Sequence, residues 1–306
     1  MTRRILITGA TGFVGRALCK SLRDEGHKLR LYCRKPLVTV HEADEIFEGP
    51  DLGEGPMPLA ALDGVGCIIH LAARVTKAKP NADIANATTV RIARHVAAAI
   101  ADSETRDVLL LSSIAAQHAQ RHPEDARPYG VEKLAAEGVF QDILPAGKNL
   151  VILRPPAVYG PGMSGALAIL SKFVDKGLPI PLGLAKTKRP YIARDTLTDL
   201  MVKIASADAA QWSALAAKPL CCCDPDHIDT ASLVRLMAQM KGRPSRLVPV
   251  PLGLLRAFGR VTGKSELVSG ALDAVACENS AELQSVLGWA PRQGMPETLA
   301  FLRSAT

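Results

Sequence analysis

Aromatic side chains are scarce in this chain of 306 residues. Phe, Trp and Tyr make up only 4% of the sequence, which leaves few of the stacking surfaces that single-stranded nucleic acids need. Long apolar runs are also absent, because no stretch approaches the ~20 residues that a membrane-spanning helix requires. Gly9 interrupts the first apolar run, which is therefore too short for a secretory signal. We expect a cytoplasmic protein without a membrane span.

Cysteine spacing excludes a further kind of site. The seven cysteines form no Cys-x-x-Cys pair and no Cys/His ligand pattern, so no metal site is predicted. Three of them are consecutive, at Cys221, Cys222 and Cys223. Because successive side chains of a strand face opposite sides, we interpret these as small apolar residues of a buried strand. The odd number of cysteines favours a reducing compartment.

Acidic residues are fewer than basic ones, with 30 Asp and Glu against 37 Lys and Arg, and the formal net charge is +7. Such an excess attracts nucleic acid, a membrane surface or a small anion. The basic residues are scattered, apart from a cluster at Lys186, Lys188 and Arg189, and no run of five occurs. We therefore predict an anionic small-molecule substrate and no nucleic-acid partner.

Apolar strands and amphipathic helices alternate along the first half of the chain. This order predicts right-handed crossovers and a doubly wound α/β fold, in which helices cover both faces of a parallel sheet. The predicted strands are 5–7, 28–33, 67–71, 108–111 and 150–153. The predicted helices are 13–24, 59–62, 84–101, 129–140, 167–176, 194–205 and 230–241, and a loop is expected between 34 and 50.

Frequent prolines change the pattern after residue 154. We expect a dinucleotide-binding domain over residues 1–160, to which segments near 190–225 return. A smaller and mostly helical substrate-binding part is expected over 161–306.

A glycine-rich turn follows the first strand, with the sequence TGATGFVG over residues 8–15. Gly9 permits a sharp turn, Gly12 a close approach of the backbone to a pyrophosphate, and Gly15 tight packing of the next helix on the sheet. The N-terminus of that helix offers N–H groups and partial positive charge. The turn therefore predicts a phosphate site for a dinucleotide.

Tyr129 and Lys133 are four residues apart in a predicted helix, so they share one helix face. The ordinary pKa of a phenol is ~10. A neighbouring ammonium and a nicotinamide cation would together favour the phenolate. Such a tyrosine exchanges a proton with a hydroxyl or a carbonyl. The alternative is an ordinary pair on a helix surface.

Two serines, Ser112 and Ser113, end the strand at 108–111, at the edge of a parallel sheet where ligands bind. A hydroxyl there hydrogen-bonds a substrate oxygen. We assign this role to Ser113, and a capping or turn role to Ser112.

Together these motifs resemble the extended short-chain dehydrogenase/reductase superfamily, and the second half of the chain resembles its nucleotide-sugar epimerase/4-ketoreductase branch. The resemblance covers nearly the whole chain. The matching motifs, in chain order, are TGATGFVG at 8–15, DL at 51–52, HLAA at 70–73, SS at 112–113, Tyr129 with Lys133, LRPPAVYGPG at 153–162, RPYIARD at 189–195 and VLGWAP at 286–291.

The resemblance implies Ser113, Tyr129 and Lys133 as catalytic residues. It implies that Asp51 and Leu52 border the adenine, that 71–73 border the ribose and pyrophosphate, and that Pro156 lies near the nicotinamide. The complete predicted cofactor set is Gly9, Thr11, Gly12, Phe13, Val14, Arg34, Asp51, Leu52, Leu71, Ala72, Ala73, Tyr129, Lys133 and Pro156. The predicted substrate residues are Val75, Ser113 and Arg189. A homodimer is also implied, with the helix at 84–101 and the helix starting at Tyr129 in the contact.

Cofactor preference is predicted from the end of the second strand. NAD-specific sites usually have a carboxylate there to accept hydrogen bonds from the ribose. This chain has Cys33, Arg34 and Lys35 instead, and the two cations could meet a 2′-phosphate. We therefore favour NADP(H), with NAD(H) as the alternative.

The expected function is an NAD(P)-dependent epimerase or 4-ketoreductase acting at a secondary alcohol or ketone of a nucleotide sugar. A UDP-sugar fits the basic charge, since a diphosphate pairs with Arg and Lys. Two alternatives stay open. Ala157 and Ala166 stand where the branch often has a sugar-binding asparagine, which leaves room for an NADPH-dependent reductase of a non-sugar ketone. The other alternative is a non-catalytic NADPH-binding module.

Overall fold

The computed structural model describes residues 3–35, 41–74, 83–263, 265–273, 275–291 and 294–303. The chain forms two compact units. The first comprises Met1–Pro155, Leu197–Cys222 and Asn279–Ala290, and the second comprises Pro156–Thr196, Cys223–Glu278 and Pro291–Thr306.

The strands and helices of the described residues are numbered in chain order. The strands are β1 (Arg4–Thr8), β2 (Lys28–Cys33), β3 (Glu45–Glu48), β4 (Cys67–His70), β5 (Asp107–Leu111), β6 (Asn149–Arg154), β7 (Ala157–Tyr159), β8 (Lys188–Arg189), β9 (Tyr191–Ala193), β10 (Leu220–Cys221) and β11 (Ile228–Asp229). The α-helices are α1 (Phe13–Asp24), α2 (Thr88–Ala101), α3 (Ile114–Arg121), α4 (Pro128–Ile143), α5 (Gly165–Asp175), α6 (Arg194–Ser206), α7 (Ala209–Leu215), α8 (Thr230–Met240), α9 (Leu252–Val261), α10 (Ser265–Leu272), α11 (Ala281–Leu287) and α12 (Met295–Thr298). Short 3₁₀ turns lie at Leu59–Leu62, Ile84–Asn86, Pro123–Asp125 and Ala300–Leu302.

A seven-stranded parallel sheet forms the centre of the first unit, in the order β10-β6-β5-β4-β1-β2-β3. Ile5, Leu6 and Ile7 are consecutive and fully buried, so both faces of β1 are covered, as parallel sheets require. The predicted doubly wound fold is confirmed. Because β1 lies between β2 and β4, the sheet reverses its direction of growth at β1, and ligands bind at the carboxyl ends of the strands at such a point.

The second unit has two small sheets, parallel β7–β9 and antiparallel β8–β11, and its other named elements are helices. Two buried hydrogen bonds to Asp224 connect separate segments of this unit. The Tyr159 hydroxyl donates to Asp224 Oδ2 at 2.6 Å, and the Ala193 N–H donates to the same oxygen at 3.0 Å. Burial raises the pKa of Asp224 to about 6.

Two predicted elements need correction, and one helix was not predicted. The predicted helix at 84–101 is a 3₁₀ turn followed by α2, because the Asp83 side chain caps the turn through Ala85 N and Ala87 is not helical. The expected loop at 34–50 contains β3. A helix, α3, begins directly after Ser113.

The three consecutive cysteines are also not one strand, since β10 ends at Cys221; Cys222 and Cys223 are buried beyond it. None of the helices within the described ranges is both long and apolar enough to cross a membrane.

Candidate active site

The loop between β1 and α1 forms a cradle of bare backbone. Gly9 has a φ of +76°, and a Cβ at this position would lie 2.9 Å from the Ala72 nitrogen. Gly12 precedes α1, and its N–H donates to the Gly9 carbonyl at 3.0 Å. Among the described residues no side chain caps α1, and its first turn has no acidic residue. The N-terminus of α1 therefore keeps its partial positive charge for an anion such as a pyrophosphate.

Gly15 packs against this loop, whereas the sequence predicted packing against the sheet. A Cβ on Gly15 would lie 2.3 Å from the Gly9 oxygen and 2.8 Å from Ala10 Cα. Both atoms belong to the backbone, so no side-chain rotation could relieve the contact. Gly15 therefore sets how closely the first turn of α1 approaches the loop at Gly9 and Ala10.

Substituting Gly15 by Ala is expected to cost about 1–3 kcal/mol of stability through overpacking, and to weaken dinucleotide binding. Gly138→Ala is the matched control, because Gly138 lies inside α4 and no atom of the described residues is within 4 Å of the Cβ that would be added. That change should stabilise the protein by about 0.5–1 kcal/mol. Urea unfolding of both variants measures the contrast, and equal stabilities would contradict this role for Gly15.

A side-chain hydrogen bond joins the carboxyl ends of β1 and β4. Thr8 Oγ1 lies 2.8 Å from His70 Nδ1, and the Ala72 N–H donates to Thr8 Oγ1 at 3.3 Å. His70 also packs against the Phe140 ring, with centroids 5.5 Å apart. Burial, with the Lys133 charge, lowers the pKa of His70 to about 3, so its imidazole is neutral at working pH. These contacts hold the 70–72 segment beside the glycine cradle.

Ser113, Tyr129 and Lys133 are brought together at the carboxyl end of β5. Ser113 follows β5 and hydrogen-bonds Tyr129, which lies in the first turn of α4. Lys133 is one helical turn further on, is buried, and donates from Nζ to the Leu111 carbonyl at 3.0 Å. A cavity next to these groups is lined by His70, Ala72, Thr89, Ala93, Leu110, Leu111, Ser112, Lys133 and Ala136.

In the protein alone, the pKa of Tyr129 is raised above its ordinary value. Burial raises the pKa of its phenol, the Ser113 hydrogen bond lowers it, and the Glu132 carboxylate raises it, with a net increase. The ammonium of Lys133 contacts the Leu111 carbonyl, and burial lowers its own pKa to about 8. In the protein alone, Tyr129 is therefore a neutral phenol and a proton donor. The predicted phenolate requires a bound nicotinamide cation, and it stays a prediction.

The helix cap is formed by the other serine of the pair. Ser113, not Ser112, caps a helix, since its Oγ accepts from the Ala115 N–H at 3.2 Å. Ser112 is buried and donates to Glu137 Oε1. The prediction of a capping role for Ser112 is therefore wrong. The chain turns directly into α3 after β5, which places the second serine at the N-cap.

A buried ion pair beneath the site was not predicted. Arg154 Nε donates to Glu137 Oε1 at 3.0 Å and Nη1 donates to Gln120 Oε1 at 2.9 Å. Glu137 is 1% exposed and Arg154 is 5% exposed. The pair joins α4 to β6, and through Ser112 it reaches the residue next to Ser113. Its sequence signal is the spacing of Tyr129, Lys133 and Glu137, which places all three on one face of α4.

Two arginines share one carboxylate where the adenine end of a dinucleotide is predicted. Arg34 Nη1 lies 2.7 Å from Asp51 Oδ2, and Arg74 Nη2 lies 3.3 Å from the same oxygen. The Gly53 N–H donates to Asp51 Oδ1 at 2.9 Å. This backbone bond, followed by the arginines, lowers the pKa of Asp51. Arg74 was missed by sequence reasoning, because it approaches from the segment after β4.

The other predicted cofactor residues are placed as follows. The side chain of Leu52 is buried in the core of the first unit, so only its backbone is available to a ligand. Leu71 and Ala72 are half-buried and Ala73 is exposed, next to the glycine cradle; Thr11 is exposed, and Phe13 and Val14 form the half-buried first turn of α1. Their cofactor contacts stay predictions.

Three further predicted residues lie in the second unit or outside the described residues. Pro156 is the first residue of the second unit. Arg189 belongs to the second unit, where its Nη1 reaches the Ser269 carbonyl at 3.5 Å. Val75 lies outside the described residues. The roles assigned to them stay predictions.

Comparison with known proteins adds an independent finding. Residues 5–213 match the NAD dependent epimerase/dehydratase family. The chain is 30% identical to a UDP-glucose 4-epimerase from Vibrio cholerae, over 97% of this chain and 93% of that protein. It is also 30% identical to a ceramide reductase from Caulobacter vibrioides, over 87% of this chain and 79% of that protein. A UDP-glucuronic acid 4-epimerase from Bacillus cereus in complex with NAD matches with a TM-score of 0.73 and 16% identity, over 97% and 96% of the two chains, and so shares its fold.

Proposed function

The chain belongs to the NAD-dependent epimerase/dehydratase family, and from this premise we propose that it catalyses hydride transfer at a secondary alcohol or ketone of a nucleotide sugar. The observation that carries the proposal is the Ser113–Tyr129–Lys133 group at the carboxyl end of β5, next to a glycine cradle. The 30% identity to a UDP-glucose 4-epimerase along 97% of this chain supports a UDP-sugar. Epimerisation and net reduction share this half-reaction.

The residues of the cradle fit a dinucleotide. The backbone at Gly9 and Gly12 and the N-terminus of α1 would hold the pyrophosphate. Only glycine fits at position 9, because a Cβ there would collide with Ala72. When bound, a nicotinamide dinucleotide supplies or accepts the hydride. Arg34 and Arg74 flank Asp51 and would hold a 2′-phosphate, which supports NADP(H) over NAD(H). Titration with both reduced cofactors tests the preference; equal or tighter NADH binding would overturn it.

Tyr129 moves the proton in this proposal. Its neutral phenol donates to the oxygen of a substrate ketone, and Ser113 hydrogen-bonds the same oxygen as its charge changes. Lys133, charged below a pKa of about 8, stabilises the phenolate that is left. In the oxidising direction Tyr129 must first lose its proton. Because the pKa of Tyr129 is raised above its ordinary value, oxidation should gain rate as pH increases, whereas reduction should lose rate only in the alkaline range. Initial rates in both directions measure this.

The function is tested with UDP-hexoses and with a 4-keto sugar nucleotide. Interconversion of C4 epimers with catalytic dinucleotide indicates an epimerase. Stoichiometric consumption of NADPH with the keto sugar indicates a reductase. Absence of both activities, together with no thermal stabilisation by UDP, would reject a nucleotide sugar as the substrate.

A reductase of a non-sugar ketone is the second candidate. The identity to a ceramide reductase, 30% over 87% of this chain, favours it, as do Ala157 and Ala166 where a sugar-binding asparagine is common in the nucleotide-sugar branch. NADPH consumption with long-chain ketones but not with keto sugars would select this candidate.

A further inference from the structure

Helix α9 of the second unit exposes a row of apolar side chains. Leu254 is 63%, Phe258 60% and Val261 88% exposed. They follow an i, i+4, i+7 spacing, so they form one ridge along the helix. We call these three residues the α9 ridge. Within the described residues, Leu59 is the single large exposed apolar side chain of the first unit, so exposure of this kind is concentrated in the second.

The ridge is not needed for the packing of α9. The opposite side of the helix carries Leu255 and Gly259, which are buried. A Cβ on Gly259 would lie 3.0 Å from Val268 Cγ2, so α9 and α10 are already in close contact on that side. Leu184 and Val248 of the same unit are also exposed, and they lie near each other, since the Gly183 N–H donates to the Val248 carbonyl. The ridge therefore lacks an intramolecular partner within the described residues.

The net positive charge of the chain is concentrated in the sequence segment that contains this helix. Residues 230–265 contain seven of the 37 Lys and Arg residues and none of the 30 Asp and Glu, so the rest of the chain carries 30 of each sign. The formal net charge of +7 thus resides in this basic segment. Arg256 pairs with Asp273 and Lys241 with Asp175, both from outside the segment. Arg243, Arg246 and Arg260 are exposed.

We propose that the α9 ridge docks on an anionic lipid bilayer. An amphipathic helix with an exposed apolar row and basic flanks lies in the plane of a membrane interface, its apolar side chains among the acyl chains and its cations at the headgroups. Charge complementarity selects an anionic surface over a neutral one. A second copy of this chain fits less well, because a symmetric contact would oppose two basic segments of the same sign.

Sedimentation with phosphatidylcholine vesicles, with and without about one third phosphatidylglycerol, tests the proposal. We expect binding to the anionic vesicles, weakened by salt. Leu254→Ser and Phe258→Ser should each reduce the partition constant about tenfold or more, and Arg260→Gln about fivefold. All three side chains are exposed, so the variants should remain folded, as a thermal melt would show.

Matched controls come from the first unit. Leu59→Ser removes an apolar side chain that is 51% exposed, and Arg106→Gln removes an exposed cation; neither should change vesicle binding. The proposal is overturned if the wild type does not bind anionic vesicles, or if the controls lose as much binding as the ridge variants. It is also overturned if light scattering shows a wild-type dimer that the ridge variants dissociate, which would assign the ridge to a second copy. None of these outcomes depends on the proposed reaction.

Discussion

Replacing Tyr129 by Phe is expected to lower turnover by about 10²- to 10⁴-fold, the usual contribution of a positioned proton donor. The substitution removes one oxygen, which is hydrogen-bonded to Ser113 and lies in the first turn of α4. The ring, its packing and Lys133 remain. Binding of the dinucleotide and the unfolding midpoint should therefore stay close to wild type, because the lost atom acts on the substrate oxygen.

Tyr32→Phe is the matched control for this variant. The Tyr32 hydroxyl donates to the Pro50 carbonyl at 2.9 Å, so its loss should cost about 1 kcal/mol of stability and leave turnover unchanged. Initial rates at several pH values, with both variants, measure the contrast. If Tyr129→Phe retains turnover within a few-fold of wild type, the enzymatic role of Tyr129 is wrong and the non-catalytic NADPH-binding module becomes the better hypothesis.

Helices and strands that are bounded by turn residues could be predicted from the sequence alone. Helix α1 and strand β2 have their predicted bounds, because the glycine turn precedes α1 and Glu25, Gly26 and His27 separate it from β2. Strand β3 has no such signal. Its sequence, EIFE, is short and charged at both ends, and it becomes a strand by pairing with β2 at the edge of the sheet. Charged, short edge strands are typical of parallel sheets.

The candidate site was likewise predicted only where the sequence carries a recognisable signal. The family resemblance implied that Ser113, Tyr129 and Lys133 act together. The strand pattern itself predicted only that Ser113 lies at the carboxyl edge of the sheet. The direction of the Tyr129 pKa could not be predicted, because it depends on burial and on where the Lys133 ammonium lies. Spacing within α4 brings the lysine near the tyrosine but does not specify its acceptor.

The sequence prediction also missed where the excess positive charge lies. A search for runs of basic residues finds only scattered cations, whereas the excess of positive charge arises from the absence of acids over residues 230–265. The importance of that segment becomes clear only when α9 is seen to expose its apolar row. The anionic substrate remains a separate proposal, supported by the site of the first unit.

Removing Glu137 is expected to be the most destabilising single change in the first unit. Glu137→Ala would leave the Arg154 guanidinium buried with Gln120 as its remaining side-chain partner in the described hydrogen bonds, and would also remove the acceptor of Ser112. Breaking a buried ion pair from one side costs about 3–5 kcal/mol. Urea unfolding measures this loss. Glu124→Ala is the control, because Glu124 is exposed and its removal should change stability by less than about 0.5 kcal/mol.

A double variant separates the ion pair from its effect on the site. Glu137→Leu with Arg154→Met replaces both charges by apolar side chains of similar size, which is often neutral for stability, so most of the lost stability should return. Turnover should stay low in both Glu137 variants, because Ser112 lacks its acceptor in each and the segment that carries Ser113 is less well fixed. If the double variant restores both stability and turnover, Glu137 acts only on the fold. If Glu137→Ala costs less than about 1 kcal/mol, the buried pair does not hold α4 against β6.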